Sequence, residues 1–387
     1  MSDAGSTTDF DPNQVNLSIA DPTQIICYLN SSGNDYDGRL GARISAVFVI
    51  LIISTIVTFF PVVAKRVRWL KIPLYVYLFA RYFGAGVIVA TAFIHLLDPA
   101  YSEIGPQTCV GMTGGWASYS WPPAIVLTAV MVIFLMDLGA ERYVEIKYGQ
   151  EAGQSVEELI TTGHPHSHAH APASSGFPAA LVQNGDVEAA GSNFRRQSHQ
   201  DEMKDMSESI EDPVMAEKLR AAEHNAYRQQ FAAFLILEFG VIVHSVVIGL
   251  NLGVVGAEFS TLYPVLVFHQ SFEGLGIGAR MSAIPWPRGS WLPWILCLAY
   301  GLTTPVSIAI GLGVRTTYNP GSFTANVVSG VLDSISAGIL IYTGLVELLA
   351  RDFLFDPLRT RDNRRLLFMV GSVLLGAGIM ALLGKWA

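Results

Sequence analysis

Eight stretches of this chain are long enough and apolar enough to cross a lipid bilayer, and that succession limits what the chain can fold into. A bilayer core asks for about 20 apolar residues in a helix. The stretches are 44–64, 72–97, 116–136, 231–255, 263–283, 291–314, 323–346 and 366–383. The first contains no Asp, Glu, Lys or Arg. The second tolerates Arg81, which lies near enough to its start for the guanidinium to snorkel to the interface. Each run is continuous, unlike the alternating strands of a membrane barrel, so helices are predicted throughout. Of the 387 residues 51% are hydrophobic and only 14% charged, where a soluble domain carries about a quarter. The expected fold is an all-α membrane protein, a bundle of eight transmembrane helices.

Basic residues in short loops set the orientation. Lys65, Arg66, Arg68 and Lys71 follow the first span, Arg280 and Arg288 end the fifth, and Arg351, Arg359, Arg361, Arg364 and Arg365 follow the seventh. The loops at the opposite end are nearly bare of Lys and Arg: 98–115 and 256–262 have none. The basic side is expected to face the cytosol, which places both termini outside. The sequons at Asn16 and Asn30 fall in the outer tail and agree with this. The acidic, polar start has no basic n-region, so a cleaved signal peptide is not expected. Four regions follow: an extracellular tail over 1–42, transmembrane helices 1–3 over 43–139, a cytosolic His-containing loop, largely disordered, over 140–229, and helices 4–8 over 230–387. The end of that loop, 212–230, reads as a polar helix leading into the fourth span.

The cysteines are Cys27, Cys109 and Cys297, with no CxxC pair, which excludes a thiolate zinc finger. Cys27 and Cys109 both fall on the outer side, where a disulfide can persist; two free thiols remain the alternative. The net charge of −8 is modest and no basic cluster is interleaved with aromatics, which sets nucleic acid aside.

Ionisable groups inside a span cost about 2.5–3.5 kcal/mol each on insertion scales, so each needs a reason. The fourth span holds Glu238 and His244 and the fifth holds His269 and Glu273. His269 and Glu273 are i and i+4 and share a helix face. His244 and His269 lie at similar depth, so two neighbouring helices offer two imidazoles and a carboxylate to one ion. Such a donor set suits a borderline divalent metal. Ser245 and Gln270, beside the two histidines, can add oxygen. Without thiolates the site releases its ion more readily. A second cluster, His95, Asp98 and Glu103, ends the second span; His95 and Asp98, i and i+3, form an expected entrance. Asp333, Ser334 and Ser336 in the seventh span are weaker candidates. A third feature is the tract His164, His166, His168 and His170, which on a flexible chain binds metal weakly and exchanges it fast.

HSVVIGLNLG in the fourth span and FHQSFEGLGIGAR in the fifth resemble the signature of the ZIP family of zinc and iron permeases, with the fungal and plant branch the nearest in pattern. The resemblance implies a ZIP bundle with an inverted repeat, helices 1–3 mirrored by 6–8 around helices 4 and 5. It implies import of Zn²⁺, or Fe²⁺, as substrate, with no prosthetic group and no enzymatic activity. His244, His269 and Glu273 occupy metal-site positions, Ser245 and Gln270 neighbouring ones, and His95 and Asp98 match entrance residues. Ile248, Gln270 and Thr304 stand where other members carry carboxylates, so one transport site is expected. The expected partners are divalent metal ions, the bilayer of the plasma membrane and, left open, a second copy in a homodimer. Other readings are an intracellular-membrane zinc transporter, an exporter, a metal sensor or receptor, and a membrane metalloenzyme. The last is disfavoured because neither HExxH nor HxxEH occurs.

Overall fold

The computed structural model describes residues 21, 25, 27, 36–67, 73–148, 213–287, 289–355, 360 and 362–386. The two sequons, the tract His164–His170, the stretch 171–193, and the basic residues 68, 71, 288, 359 and 361 lie outside them. The main unit comprises 1–137 with 229–387. In the second, 138–228, the described residues are helical: the last turns of the third long helix and the polar start of the fourth.

Eight long helices are present, with no strand among the described residues. They are α1 (Leu40–Arg66), α2 (Leu74–Ile104), α3 (Trp121–Tyr148), α4 (Pro213–Val254), α5 (Phe259–Ala283), α6 (Leu292–Val314), α7 (Phe323–Phe355) and α8 (Asn363–Leu383). Seven are apolar enough along a sufficient length to cross a membrane, and α5 falls short of that measure. His269, Gln270, Glu273 and Arg280 lower its apolar character, yet its first three are buried inside the bundle.

Helices α2 and α7 run past their expected ends through a π-helical segment, Thr91–Leu97 in α2 and Thr343–Phe355 in α7. Asp98-Pro99 reads as a helix end because proline cannot donate to the preceding turn. In the structure the chain stays helical from Asp98 to Ile104, directly after the π segment. The two segments begin alike, Thr91-Ala-Phe-Ile-His95-Leu-Leu and Thr343-Gly-Leu-Val-Glu347-Leu-Leu, on the two helices that the expected inverted repeat would pair. At α3, Trp116 lies in a short 3₁₀ turn, and the helix starts at Trp121 with Pro122 and Pro123 in its first turn, where no donor is needed.

Within lipid, helices associate through close packing and not through exclusion of water, which favours small residues at crossings. A Cβ on Gly84 of α2 would run into the Cα of Gly276 of α5. A Cβ on Gly278 would meet the Thr58 carbonyl oxygen of α1. On α4, a Cβ on Gly253 would come within 2.8 Å of the Gly311 Cα of α6.

At one end of the bundle Arg43, fully buried, spends its guanidinium on exposed carbonyls at the end of α4. It donates to Leu252 O (3.2 Å), Gly253 O (3.3 Å) and Val255 O, and pairs with Asp37 at 2.9 Å. Its plane also lies 4.6 Å from the Phe259 ring centroid. These carbonyls have no partner further along α4, so the arginine caps them. At the same end Cys27 and Cys109 are joined in a disulfide, with Cα atoms 4.8 Å apart, tying the tail to the connection after α2. The opposite end carries Lys65, Arg66, Arg351, Arg364 and Arg365.

Gly276→Val is expected to cost at least the overpacking penalty of about 1–3 kcal/mol, read as a lowered thermal midpoint of the purified protein in detergent, because the added atoms meet backbone and not a movable side chain. Gly41→Ala, with open space around it, is expected to leave the midpoint unchanged.

Candidate metal centre

The fifth and fourth helices cross where their glycines let neighbouring backbones close in, and His269, Glu273 and His244 meet at that level. His244 Nε2 lies 3.4 Å from His269 Nε2, and His269 Nε2 lies 3.8 Å from Glu273 Oε2. All three residues are buried, and their ligand atoms lie within 4.8 Å of one another. Among the described residues they are the one group of three such side chains so placed. With metal–ligand bonds of about 2.0–2.2 Å, the edges of a tetrahedron are about 3.3–3.6 Å long. The observed spacings therefore lie at or just beyond the edge lengths of a single ion's coordination shell.

Unpartnered atoms point to the same chemistry. Glu273 Oε1, His269 Nδ1, Ser245 Oγ and Gln270 Oε1 are buried without a hydrogen bond. A buried acceptor left unpaired costs free energy that a cation would recover. Tyr300 of α6 donates to Glu273 Oε2 at 3.2 Å, so its hydroxyl orients one carboxylate oxygen. Gln270 Nε2 donates to Thr304 Oγ1 at 2.6 Å. Where a second ion would need carboxylates, this pair is neutral, and Ile248 packs into an apolar cluster of α1, α4, α5 and α6.

His95 stands closer to this centre than an entrance position implies. Its ring meets that of His269 edge-on, centroids 4.9 Å apart, and its Nε2 lies 3.2 Å from Met380 O. Asp98, by contrast, is exposed. The reason is the π segment: with more residues per turn, positions i and i+3 no longer share a face. Glu103 of α2 lies against α7 beside Gly330, one turn before Asp333. Glu238 is buried on α4 with neither carboxylate oxygen hydrogen-bonded. Tyr300 and Arg43 are structural partners that sequence reasoning passes over. A tyrosine in an apolar run looks like one more aromatic, and an arginine before a span looks like a flank.

Tyr300→Phe is expected to weaken Zn²⁺ binding to the purified protein by roughly 10-fold or more, the usual effect of removing a group that orients a ligand. Equilibrium dialysis against Zn²⁺ measures it.

Comparison with known proteins gives a consistent result. The family model described as ZIP zinc transporter matches residues 40–384. Zinc-regulated transporter 1 of Saccharomyces cerevisiae is 56% identical over 384 residues, 98% of this chain and 97% of that protein. Zinc-regulated transporter 1 of Schizosaccharomyces pombe is 41% identical over 361 residues, 92% of this chain and 87% of its own. A plant relative, Zinc transporter 9 of Oryza sativa, is 30% identical over 383 residues, 96% of each chain. No solved structure matches the fold significantly. The chain therefore belongs to the ZIP zinc transporter family: it is a multi-pass membrane transporter that takes zinc as substrate and carries no prosthetic group, and it is not an enzyme.

Proposed function

We propose that the protein lies in the plasma membrane with both termini outside and carries Zn²⁺ into the cytosol through His244, His269 and Glu273. The observation that carries this reading is the convergence of two imidazole nitrogens and a carboxylate, 3.4 and 3.8 Å apart, on helices that cross inside an apolar bundle. The orientation rests on the basic residues gathered at one end of the bundle and on the disulfide at the other, since such bonds persist in oxidising surroundings. A histidine-rich donor set also accepts Fe²⁺, and the reading includes Fe²⁺ as a poorer substrate.

Zinc uptake in cells that lack their own importer tests the site. His244→Ala and Glu273→Ala are expected to cut uptake more than about tenfold at unchanged surface abundance, as loss of a ligand should. Uptake at the wild-type rate by either variant would sink the assignment. Excess Fe²⁺ is expected to inhibit only partially. If Fe²⁺ displaces zinc completely at equal concentration, the order of preference is wrong.

Proton competition gives a second check. The metal-binding form of imidazole is the neutral one. Protons compete with the metal for the same ring nitrogens, so zinc uptake measured against outside pH is expected to be slowed by sufficient acid.

A further inference from the structure

Helices α2 and α7 run antiparallel, and two close approaches fix their register. A Cβ on Gly330 would lie 2.7 Å from the Ile104 side chain and 3.2 Å from the Cβ of Glu103. Fourteen residues on, a Cβ on Gly344 would lie 2.9 Å from the Val89 side chain, fourteen residues before Glu103. The ion pair Arg81–Asp352, at 2.7 Å, keeps the same register. On it Asp333 is level with Ala100, one turn inward of Glu103 and roughly 7 Å outward of His95 at 1.5 Å per residue. Asp333 and Gly330 are i and i+3, so Asp333 shares the face of α7 that Glu103 adjoins.

Neither carboxylate is satisfied there. Asp333 is 3% exposed and its Oδ1 has no hydrogen-bond partner. Glu103 Oε2 is buried without one, and neither residue forms an ion pair among the described residues. The mirrored half supplies an internal comparison. Asp333 precedes Thr343 by ten residues, as Arg81 precedes Thr91 in the matching segment. Arg81 meets Asp352, the counterpart of Ala100, through both carboxylate oxygens at 2.9 and 2.7 Å. At the basic end this level is thus filled by a guanidinium belonging to the protein. At the disulfide end Asp333 holds that level, Glu103 stands one turn further out, and among the described residues no cationic side chain pairs with either.

We propose that Glu103 and Asp333 form a second, weaker cation station that takes a divalent metal ion with part of its water shell and passes it inward to His95 and the His244–His269–Glu273 centre. This rests on the transport reading above. Two carboxylates with waters suit a partly hydrated divalent ion, and without imidazole they hold Zn²⁺ less tightly than the inner donors. The ion's two positive charges offset two carboxylates that are costly to keep unpaired at this depth.

Zn²⁺ binding to the purified full-length protein tests the proposal. The wild type is expected to show a tight and a weaker binding event. His269→Ala with Glu273→Ala should remove the tight event and leave the weaker; Glu103→Gln with Asp333→Asn should do the reverse. In cells, Glu103→Gln or Asp333→Asn should raise the half-saturating zinc concentration roughly tenfold while the maximal rate stays within about twofold, as removal of ligand charge at a capture site predicts. A single binding event in the wild type, a weaker event that survives the Glu103/Asp333 double change, or an unchanged half-saturating concentration overturns the station. If His269→Ala leaves uptake intact, the inner-site reading fails instead, and the weaker event still decides the outer one. Should Asp333→Asn not reach the membrane, Glu103→Gln alone, nearer the bundle end, decides by the same two measurements.

Discussion

The bundle depends on α5 lying within backbone contact of α1 and α2 at once. No gain from excluding water holds helices together in lipid, so contact itself has to do it. The close approaches at Gly276 and Gly278 set α5 at the centre. Only there can a helix carry His269, Gln270 and Glu273 without presenting them to lipid. Its low apolar character is therefore a consequence of its position, and the same contacts hold His269 at 3.4 Å from His244.

Polarity at the centre is arranged around a few fixed hydrogen bonds. Tyr300 fixes Glu273, and the Gln270–Thr304 hydrogen bond makes the adjoining level neutral. Glu273 Oε1, His269 Nδ1, Ser245 Oγ and Gln270 Oε1 remain buried without a hydrogen bond. On the proposed reading, a bound ion would complete such a centre.

Much of this was legible in the residues and some was not. Apolar runs of the right length gave the eight helices, since a bilayer leaves a chain few options. The i, i+4 pair on α5 and the matching depth of His244 gave the inner centre, because an α-helix fixes those phases. The outer cluster is harder to read: Thr91–Leu97 is π-helical, and no residue in it announces the wider turn that alters the phase between His95 and Asp98. Glu103 and Asp333 are 230 positions apart and meet only through the α2–α7 register, which is a tertiary property. The cysteine pairing, left open by sequence, is settled by the disulfide.

The crossing of Gly84 with Gly276 has a mechanical meaning. Arg43 and the glycine contacts hold α1, α4, α5 and α6 as one group, which carries the inner ligands. Helix α2 lies with α7 and α8, joined by Arg81–Asp352 and by contacts such as Gly330 with Ile104, and this group carries His95, Glu103 and Asp333. Where the groups touch, the backbones of Gly84 and Gly276 meet, and beside them the Phe83 and Phe272 rings pack edge-on with centroids 5.3 Å apart. Any movement of one group against the other therefore has to repack those rings. On the proposed reading, an ion handed from Glu103 and Asp333 to His269 crosses this seam.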